Sequence, residues 1–207
     1  MPAAPRRSAD RALLRDRPAT SKPVKRAKVL TADQIAAMLA AAGPRDAALV
    51  ALMTAGAMRV GEATLLTWPD VEGCAVTIPG GITKTGAGRD LALPDEACRL
   101  LLAWRERCPQ TRRGWIFPGQ AGQPLSVRGA QAAISRLAAA VGVAGVTSHS
   151  FRRSALTAAH QAGMSLREVA EVSGHHSLAA LERYLDQDAA KEKANAARGL
   201  LFRGADA

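Results

Sequence analysis

The chain of 207 residues contains only three cysteines and a single tyrosine. The cysteines (Cys74, Cys98 and Cys108) are odd in number and lack the spacing of metal ligands, and no apolar signal-peptide segment follows the N-terminus. These absences favour a reducing, cytosolic setting. The longest nearly apolar run, AALVALMTAGAM, is about a third shorter than the ~18 residues that indicate a membrane span. The sequence therefore argues against a membrane protein.

Positive charge is abundant but unevenly distributed. The formal net charge is +10, and residues 1–29 hold nine Lys or Arg against two Asp, which places +7 of that charge in the first 29 residues. This excess predicts a polyanionic partner such as nucleic acid. Two interpretations of residues 1–29 stay open, a solvated flexible arm or linker and an arm that touches DNA. Residues 30–207 are expected to form one folded domain.

Most of the chain has helical periodicity. LTADQIAAMLAAAG begins with Thr31 and Gln34 at capping-box spacing and stops at Gly43. RDAALVALMTAG and VGEATLLTW are predicted as two helical pieces broken near Gly56, with Arg59 at the junction. Further helices are predicted in DEACRLLLAWRERC, SVRGAQAAISRLAAAVG, HSFRRSALTAAHQAG, SLREVAEVSG, SLAALERYL and the tail AAKEKANAARGLLF.

The segment from Cys74 to Pro94 has a different pattern. CAVTIPGGITKTGAGRDLALP alternates β-branched residues and contains two glycine-rich interruptions. The pattern predicts a small antiparallel sheet whose last hairpin places Lys84 beside the turn TGAG. The fold class is therefore α+β, mainly helical.

Several polar residues do not fit a plain core, although each has an ordinary explanation. Arg59 and Glu62 are three positions apart and can form an ion pair on one helical face. His149 and Arg152 share the same spacing, and His149 is alternatively a helix N-cap or a surface histidine. Tyr184 is alternatively a packing residue of an amphipathic helix.

Taken in order, four segments resemble the tyrosine recombinase or phage integrase family. They are AGAMRVGEATLLTWPDV for the first arginine box, ITKTGAGRDLALP for the hairpin lysine, HSFRR for the His-x-x-Arg box and GHHSLAALERYL for the Gly-His and tyrosine box. The resemblance covers about residues 30 to 203. It implies a tyrosine-recombinase-type catalytic domain that breaks and rejoins DNA through a 3′-phosphotyrosine, without metal, cofactor or ATP.

These residue types suit phosphodiester cleavage. Attack by a side chain on a phosphodiester builds negative charge on the non-bridging oxygens, which preorganised cations stabilise. Guanidinium groups stay charged and bind phosphate in a bidentate manner, and a phenol with a pKa near 10 needs a base or cations to react. The resemblance implies six catalytic residues and a supporting carboxylate: Arg59 and Arg152 (phosphate clamp), His149 (proton acceptor), His175 (phosphate hydrogen bond), Lys84 (proton donor to the 5′ oxygen), Tyr184 (nucleophile) and Glu62 (support).

The chain also departs from the family pattern. Arg153 follows Arg152 where many relatives carry a histidine, Ser173 precedes Gly174 where an apolar residue is more usual, and His176 beside His175 makes the imidazole assignment depend on register. Residues 1–29 are too short for the N-terminal DNA-clamping domain of most members, so that domain is expected to be absent.

The resemblance implies double-stranded DNA as the partner, with assembly as a dimer and then a tetramer on DNA, and a cytoplasmic, nucleoid-associated location. The apolar LLF near the C-terminus would serve assembly in trans or pack within the same chain. Two other functions stay open. One is DNA relaxation like that of a type IB topoisomerase, and the other is a remnant integrase that only binds DNA.

Overall fold

The computed structural model describes residues 27–174, 178–182 and 185. The predicted site residues His175 and Tyr184 lie outside the described residues, as do most of the basic arm and the tail from residue 186. Within the described part of the chain, eight α-helices accompany a three-stranded antiparallel sheet. The predicted α+β, mainly helical class is confirmed.

The helices begin and end close to the predicted signals. Thr31 caps α1, and Ser165 with Glu168 forms the capping box of α7, as predicted. The bounds are α1 Ala32–Ala41, α2 Pro44–Ala55, α3 Val60–Thr64, α4 Asp95–Arg105, α5 Val127–Ala140, α6 Ser148–Gln161, α7 Leu166–Ser173 and α8 Leu178–Glu182.

Helix α3 is shorter than its sequence predicts. The apolar pattern continues to Trp68, but the helix ends at Thr64 and a 3-10 turn follows at Trp68–Asp70. Pro69 has no N–H group to donate to a carbonyl one turn earlier, so α3 cannot continue through it with its hydrogen bonds intact, whereas a proline fits near the start of the 3-10 turn. The Asp70 carboxylate instead accepts a hydrogen bond from the Thr67 N–H group at 2.8 Å, which stabilises the turn.

Helix α2 is the centre of the hydrophobic core. Residues 47–53 are all buried, and the helix packs against α1, α4 and α6. A helix that is apolar on every side is buried in this way. None of the helices in the described ranges has the length and apolar character that crossing a bilayer requires.

The sheet consists of β1 Val71–Glu72, β2 Ala75–Ile78 and β3 Arg89–Ala92, in the order β1-β2-β3. It therefore begins before the predicted start at Cys74. Ile78 pairs with Arg89 and Val76 pairs with Leu91. Because side chains alternate along strands, Arg89 and Leu91 share the face of the buried Val76 and Ile78. Lys84 lies in the β2–β3 connection, as predicted.

A disulfide joins the sheet to the helical body. It links Cys74, in the β1–β2 turn, to Cys98 of α4 across a Cα–Cα distance of 5.2 Å. Cys108 is a free, buried thiol whose pKa is raised by burial, partly offset by a hydrogen bond involving Trp68. The pair was not predicted, because the cysteine pattern favours a reducing setting, in which disulfides are rare. The approach of the sheet to α4 creates it.

Candidate active site

Arg59 is placed by a tight turn between α2 and α3. Ala57 has φ +44°, an uncommon conformation for a residue with a Cβ atom, and the Met58 N–H group bonds to the Met53 carbonyl at 3.1 Å. A Cβ atom on Gly56 would lie 2.8 Å from Leu91 of β3, so the turn packs closely against the sheet. Arg59 lies at the predicted junction, where it takes the N-cap position of α3, and its side chain is 27% exposed.

Glu62 holds two arginines from different parts of the chain. Its carboxylate is 2% exposed, with Oε1 2.7 Å from Nη1 of Arg59 and Oε2 2.9 Å from Nη2 of Arg89. The Arg59 N–H group also donates to Oε2 at 3.2 Å. Burial alone would raise the pKa of Glu62, but the hydrogen bonds and charges of Arg89 and Arg59 outweigh burial and lower that pKa below its ordinary value. Glu62 is therefore an anionic anchor.

Arg152 connects the first arginine segment to the end of α7. Its side chain is 1% exposed, and it donates hydrogen bonds to the Ala57 carbonyl and, at 3.0 Å, to the Ser173 carbonyl. A planar guanidinium can serve two acceptors at once, which a lysine ammonium does less well. Arg152 thus brings together two segments that are more than one hundred positions apart in the sequence.

The end of α7 is a sharp turn at Gly174. Gly174 has φ +68° in the left-handed region, which closes the helix just before position 175. Ser173 directly precedes it and donates from its hydroxyl to the Val169 carbonyl at 2.6 Å, so this unusual polar residue is satisfied within α7.

His149 lies in the first turn of α6, three residues before Arg152, and is exposed. It is not the N-cap, because Thr147 occupies that position. The start of α6 is fixed to α5 by a hydrogen bond of 3.0 Å from the Ser148 N–H group to the Gln131 side-chain oxygen. His149 is therefore an accessible imidazole on a well-anchored helix.

Lys84 is exposed in the β2–β3 turn and is separate from the buried Glu62 cluster. The hydroxyl of the preceding Thr83 donates to the Gly80 carbonyl and lies at 3.0 Å from both this oxygen and the Ala87 carbonyl oxygen. The turn ends at Arg89, which reaches inward to Glu62.

A small second core supports the segments on either side of position 184. Leu181 of α8 is fully buried with Leu156 of α6 and Val169 of α7. After position 184, the Leu185 carbonyl accepts a hydrogen bond from Arg153 at 3.5 Å. Arg153 also donates to the Ala27 carbonyl, where the described chain begins.

Two further arginines, Arg89 and Arg153, make contacts at the site that the sequence did not predict. The alternation of RDLA offers a signal for Arg89, since it puts this arginine on the same face as Leu91. Arg153 has no comparable local signal, because the Ala27 and Leu185 carbonyls to which it donates are distant in the sequence. Arg128 and Arg136 are both exposed on α5, a placement that suits either phosphate contacts or solvated charges.

The chain resembles known recombinases in both sequence and structure. It is 30% identical over 178 residues to tyrosine recombinase XerC of Xanthomonas campestris pv. campestris (strain B100), covering 82% of this chain and 54% of the relative. It is 35% identical over 153 residues to XerC of Methylobacterium sp. (strain 4-46), covering 71% and 47%. The chain therefore spans about half the length of the curated relatives it matches.

Two solved structures share the fold. The XerA recombinase superposes with a TM-score of 0.72 at 20% identity, covering 86% of this chain and 66% of that one. The XerH site-specific recombinase, solved bound to palindromic difH substrate in a post-cleavage complex, gives a TM-score of 0.68 at 22% identity, covering 80% and 51%. The sequence pattern of the phage integrase family matches residues 28–191. Because this match covers most of the chain, and the helices and hairpin agree with it, the chain belongs to the phage integrase family.

Proposed function

We propose that this protein is a site-specific DNA recombinase or integrase that cleaves and rejoins DNA through a 3′-phosphotyrosine on Tyr184. The observation that carries the proposal is the pair of hydrogen bonds from Arg152 to the Ala57 and Ser173 carbonyls. They bring the Arg59 turn, the His149–Arg152 helix and the segment leading to His175 to one place. If these residues served only as separate ion pairs or surface charges, the three segments would not need to meet.

The arginines supply the electrostatic part of the proposed mechanism. Arg59 is partly exposed and is held by the buried Glu62, so its orientation is set before a phosphate arrives. Preorganised cations of this kind stabilise the charge that develops on the non-bridging oxygens. Arg152 is covered by protein. In the proposed clamp it places a positive charge near the phosphate and, through its bond to the Ala57 carbonyl, positions the Arg59 turn. His175 completes the phosphate contacts.

The nucleophilic step needs a phenol and a proton acceptor. In the proposed reaction the Tyr184 oxygen attacks the phosphorus, its proton passes to His149, and the bond from phosphorus to the 5′ oxygen breaks. The support for Tyr184 is that Leu181 is buried in the small core and Leu185 is bonded to Arg153, so both flanks of position 184 are anchored.

The leaving 5′ oxygen takes a proton from Lys84, which is exposed on the hairpin and therefore able to reach the DNA backbone. The products are a 3′-phosphotyrosine and a free 5′ hydroxyl. Attack by a 5′ hydroxyl from a second DNA end reverses the chemistry and rejoins the strands, so no ATP or metal enters the scheme. Glu62 orients the cations and does not react.

The proposal extends to partners and location. Residues 1–29, with a charge of +7, act as a DNA-contacting arm ahead of the catalytic domain of residues 30–207. The protein assembles on DNA as a dimer and then a tetramer through its C-terminal tail, and it works in the cytoplasm on nucleoid DNA. Deletion of residues 190–207 is expected to abolish cooperative assembly, and retained synapsis in a gel assay would contradict this part.

The test is covalent capture. Nicked suicide duplexes taken from the DNA that flanks the protein's own coding sequence are incubated with the wild type and with Tyr184→Phe. A denaturing gel then detects protein–DNA adducts. We expect an adduct on the 3′ side of the break with the wild type and none with Tyr184→Phe. As a matched control, Arg167→Met removes an exposed cation of α7 and is expected to form the adduct normally.

The other outcomes are equally informative. Relaxation of supercoiled DNA of any sequence, without synapsis, would identify a type IB topoisomerase-like activity instead. Shifting of DNA in a native gel by both proteins, with no adduct from either, would identify a remnant integrase that only binds DNA.

A further inference from the structure

Arg89 is a largely covered cation outside the six predicted catalytic residues. It begins β3, the strand that returns from the Lys84 turn, and its side chain is 12% exposed on the inward face of the sheet. Ionised side chains are rarely buried unless they are paired. The partners of Arg89 therefore indicate its purpose.

These partners belong to three different segments. Nη2 of Arg89 lies 2.9 Å from Oε2 of Glu62 and donates to the Gly56 carbonyl at 3.5 Å. Nη1 lies 3.7 Å from the point that a Cβ atom on Gly174 would occupy. One side chain thus bonds the hairpin strand to the Arg59 turn and to α3, and it lies beside the end of α7.

The tip of the hairpin is secured mainly by its own bonds. Thr83 bonds to carbonyls within the turn, and the Thr77 hydroxyl bonds to Asp90 at 2.8 Å on the outer face. These contacts shape the hairpin but do not fix it against the arginine cluster. The Arg89 ion pair does, because Glu62 is shared with Arg59 through its other oxygen.

We propose that Arg89 is a positioning residue that fixes the β2–β3 hairpin, and with it Lys84, against the Glu62–Arg59 pair. The inference rests on the proposed function in giving Lys84 the task of protonating the leaving oxygen. Arg89 acts through Lys84 and not on the DNA itself.

The first test measures how firmly the hairpin is held. Lys84 is the only lysine between Lys28 and Lys191, so a lysine-specific protease makes one cut within residues 29–190. A reducing gel identifies this cut by its fragment sizes, because the Cys74–Cys98 disulfide otherwise holds the two fragments together. We expect Arg89→Met to speed this cut about tenfold, because cleavage tracks local opening of the structure. The matched control is Arg99→Met, which removes an exposed ion pair with Glu96 on α4 and is expected to leave the rate unchanged. Equal cut rates for Arg89→Met and the wild type would overturn the proposal.

The second test separates positioning of Lys84 from general destabilisation. Single-turnover cleavage is measured on a suicide duplex and on the same duplex with sulfur replacing the 5′ bridging oxygen. A thiolate leaves without a proton donor, so the sulfur substrate bypasses Lys84. We expect Arg89→Met to cleave the oxygen substrate about tenfold to a hundredfold more slowly than the wild type, the range for a misplaced reacting group. We expect it to cleave the sulfur substrate nearly as fast as the wild type.

Three comparison variants complete the design. Lys84→Met is also expected to cleave the oxygen substrate slowly and the sulfur substrate nearly as fast as the wild type. Arg59→Met is expected to cleave both substrates slowly. Arg89→Lys keeps the positive charge but not the planar guanidinium with its several N–H donors. It is expected to restore part of the rate of cleavage of the oxygen substrate. Equal slowing of both substrates by Arg89→Met would contradict the proposal. Absence of any wild-type adduct with either substrate would refute the proposed function instead, while the protease test would still decide whether Arg89 holds the hairpin.

Discussion

Arg89 and Glu62 form an ion pair of 2.9 Å between residues 27 positions apart in the sequence. The carboxylate is almost fully buried and also bonds to Arg59, so one anion orients two cations from a strand and a helix. Removing one partner from a buried ionic cluster leaves the others uncompensated, which is more harmful than losing a surface pair. The stability and the chemistry of the site therefore depend on the same residue.

Replacement of Glu62 by glutamine is expected to destabilise the protein. We predict a loss of about 2–4 kcal/mol in the free energy of unfolding, because Arg59 and Arg89 lose their shared anion. Urea denaturation at pH 7 measures it. Glu96→Gln is the matched control, since Glu96 also pairs with an arginine three positions away but is 63% exposed. An effect of Glu62→Gln no larger than that of the control would contradict a structural role for Glu62.

The same carboxylate predicts a pH dependence. The pKa of Glu62 is lowered in the folded protein from its ordinary value of 4.5, so the unfolded chain binds the proton more readily. The stabilisation is complete above that ordinary value and is lost as the pH falls below it, through the folded pKa. We expect the free energy of unfolding of the wild type to fall more steeply than that of Glu62→Gln as the pH drops below the ordinary value of 4.5. Urea denaturation at a series of pH values measures this. The same dependence of the free energy of unfolding on pH in both proteins would count against the prediction.

Gly56 is expected to tolerate no side chain. A Cβ atom there would lie 2.7 Å from Cγ of Met58 and 2.8 Å from Leu91. We predict that Gly56→Ala lowers the free energy of unfolding by about 1–3 kcal/mol through overpacking. Gly61→Ala in α3, where no atom lies within 4 Å of the added carbon, is expected to raise it by up to about 1 kcal/mol. Thermal denaturation of both variants checks the contrast.

The disulfide between Cys74 and Cys98 is expected to contribute to stability. It closes a loop with a sequence separation of 24, for which chain entropy predicts about 3 kcal/mol. Unreduced, unfolded protein is expected to show one reactive thiol, that of Cys108. The double variant Cys74→Ser, Cys98→Ser is compared with Cys108→Ser in urea denaturation. Three thiols in the unreduced protein would show that the bond does not form.

Arg153 is expected to matter for cleavage more than for DNA binding. It bonds to the Ala27 and Leu185 carbonyls, and the second of these directly follows Tyr184. We predict that Arg153→Met lowers the rate of adduct formation about tenfold, because a displaced nucleophile reacts slowly. Arg167→Met serves as the charge-matched control on α7. Equal loss of DNA binding and of cleavage by Arg153→Met would point to a DNA contact instead.

Much of the fold was predictable because it depends on local signals. The capping boxes at Thr31 and Ser165, the break near Gly56 and the hairpin that carries Lys84 all follow from neighbours within a few positions. The premature end of α3 was not predicted, since the effect of Pro69 competes with an apolar pattern that continues beyond it. Helix propensity is weak enough for such competition to decide the boundary.

The candidate site was predictable in part. Arg59, Glu62 and Arg152 come together as the order of the motifs suggests, while His149 and Lys84 lie exposed on elements that lead to them. The clamp roles of Arg59 and Arg152, and the roles of His175 and Tyr184, stay predictions. The bonds from Arg152 to the Ala57 and Ser173 carbonyls were not foreseeable, because backbone carbonyls carry no signature in the side-chain sequence.

The sequence by itself determined which residue types are present, in what order, and on which helices or turns, since periodicity and capping act over a few residues. Only the tertiary structure decided that Glu62 is shared by Arg59 and Arg89, that Arg152 serves two carbonyls, and that Cys74 meets Cys98. The physical reason is that these contacts form only when α3, α4, β3, α6 and α7 pack together. Hydrogen bonds and ion pairs depend on distances of about 3 Å, which a linear pattern does not encode.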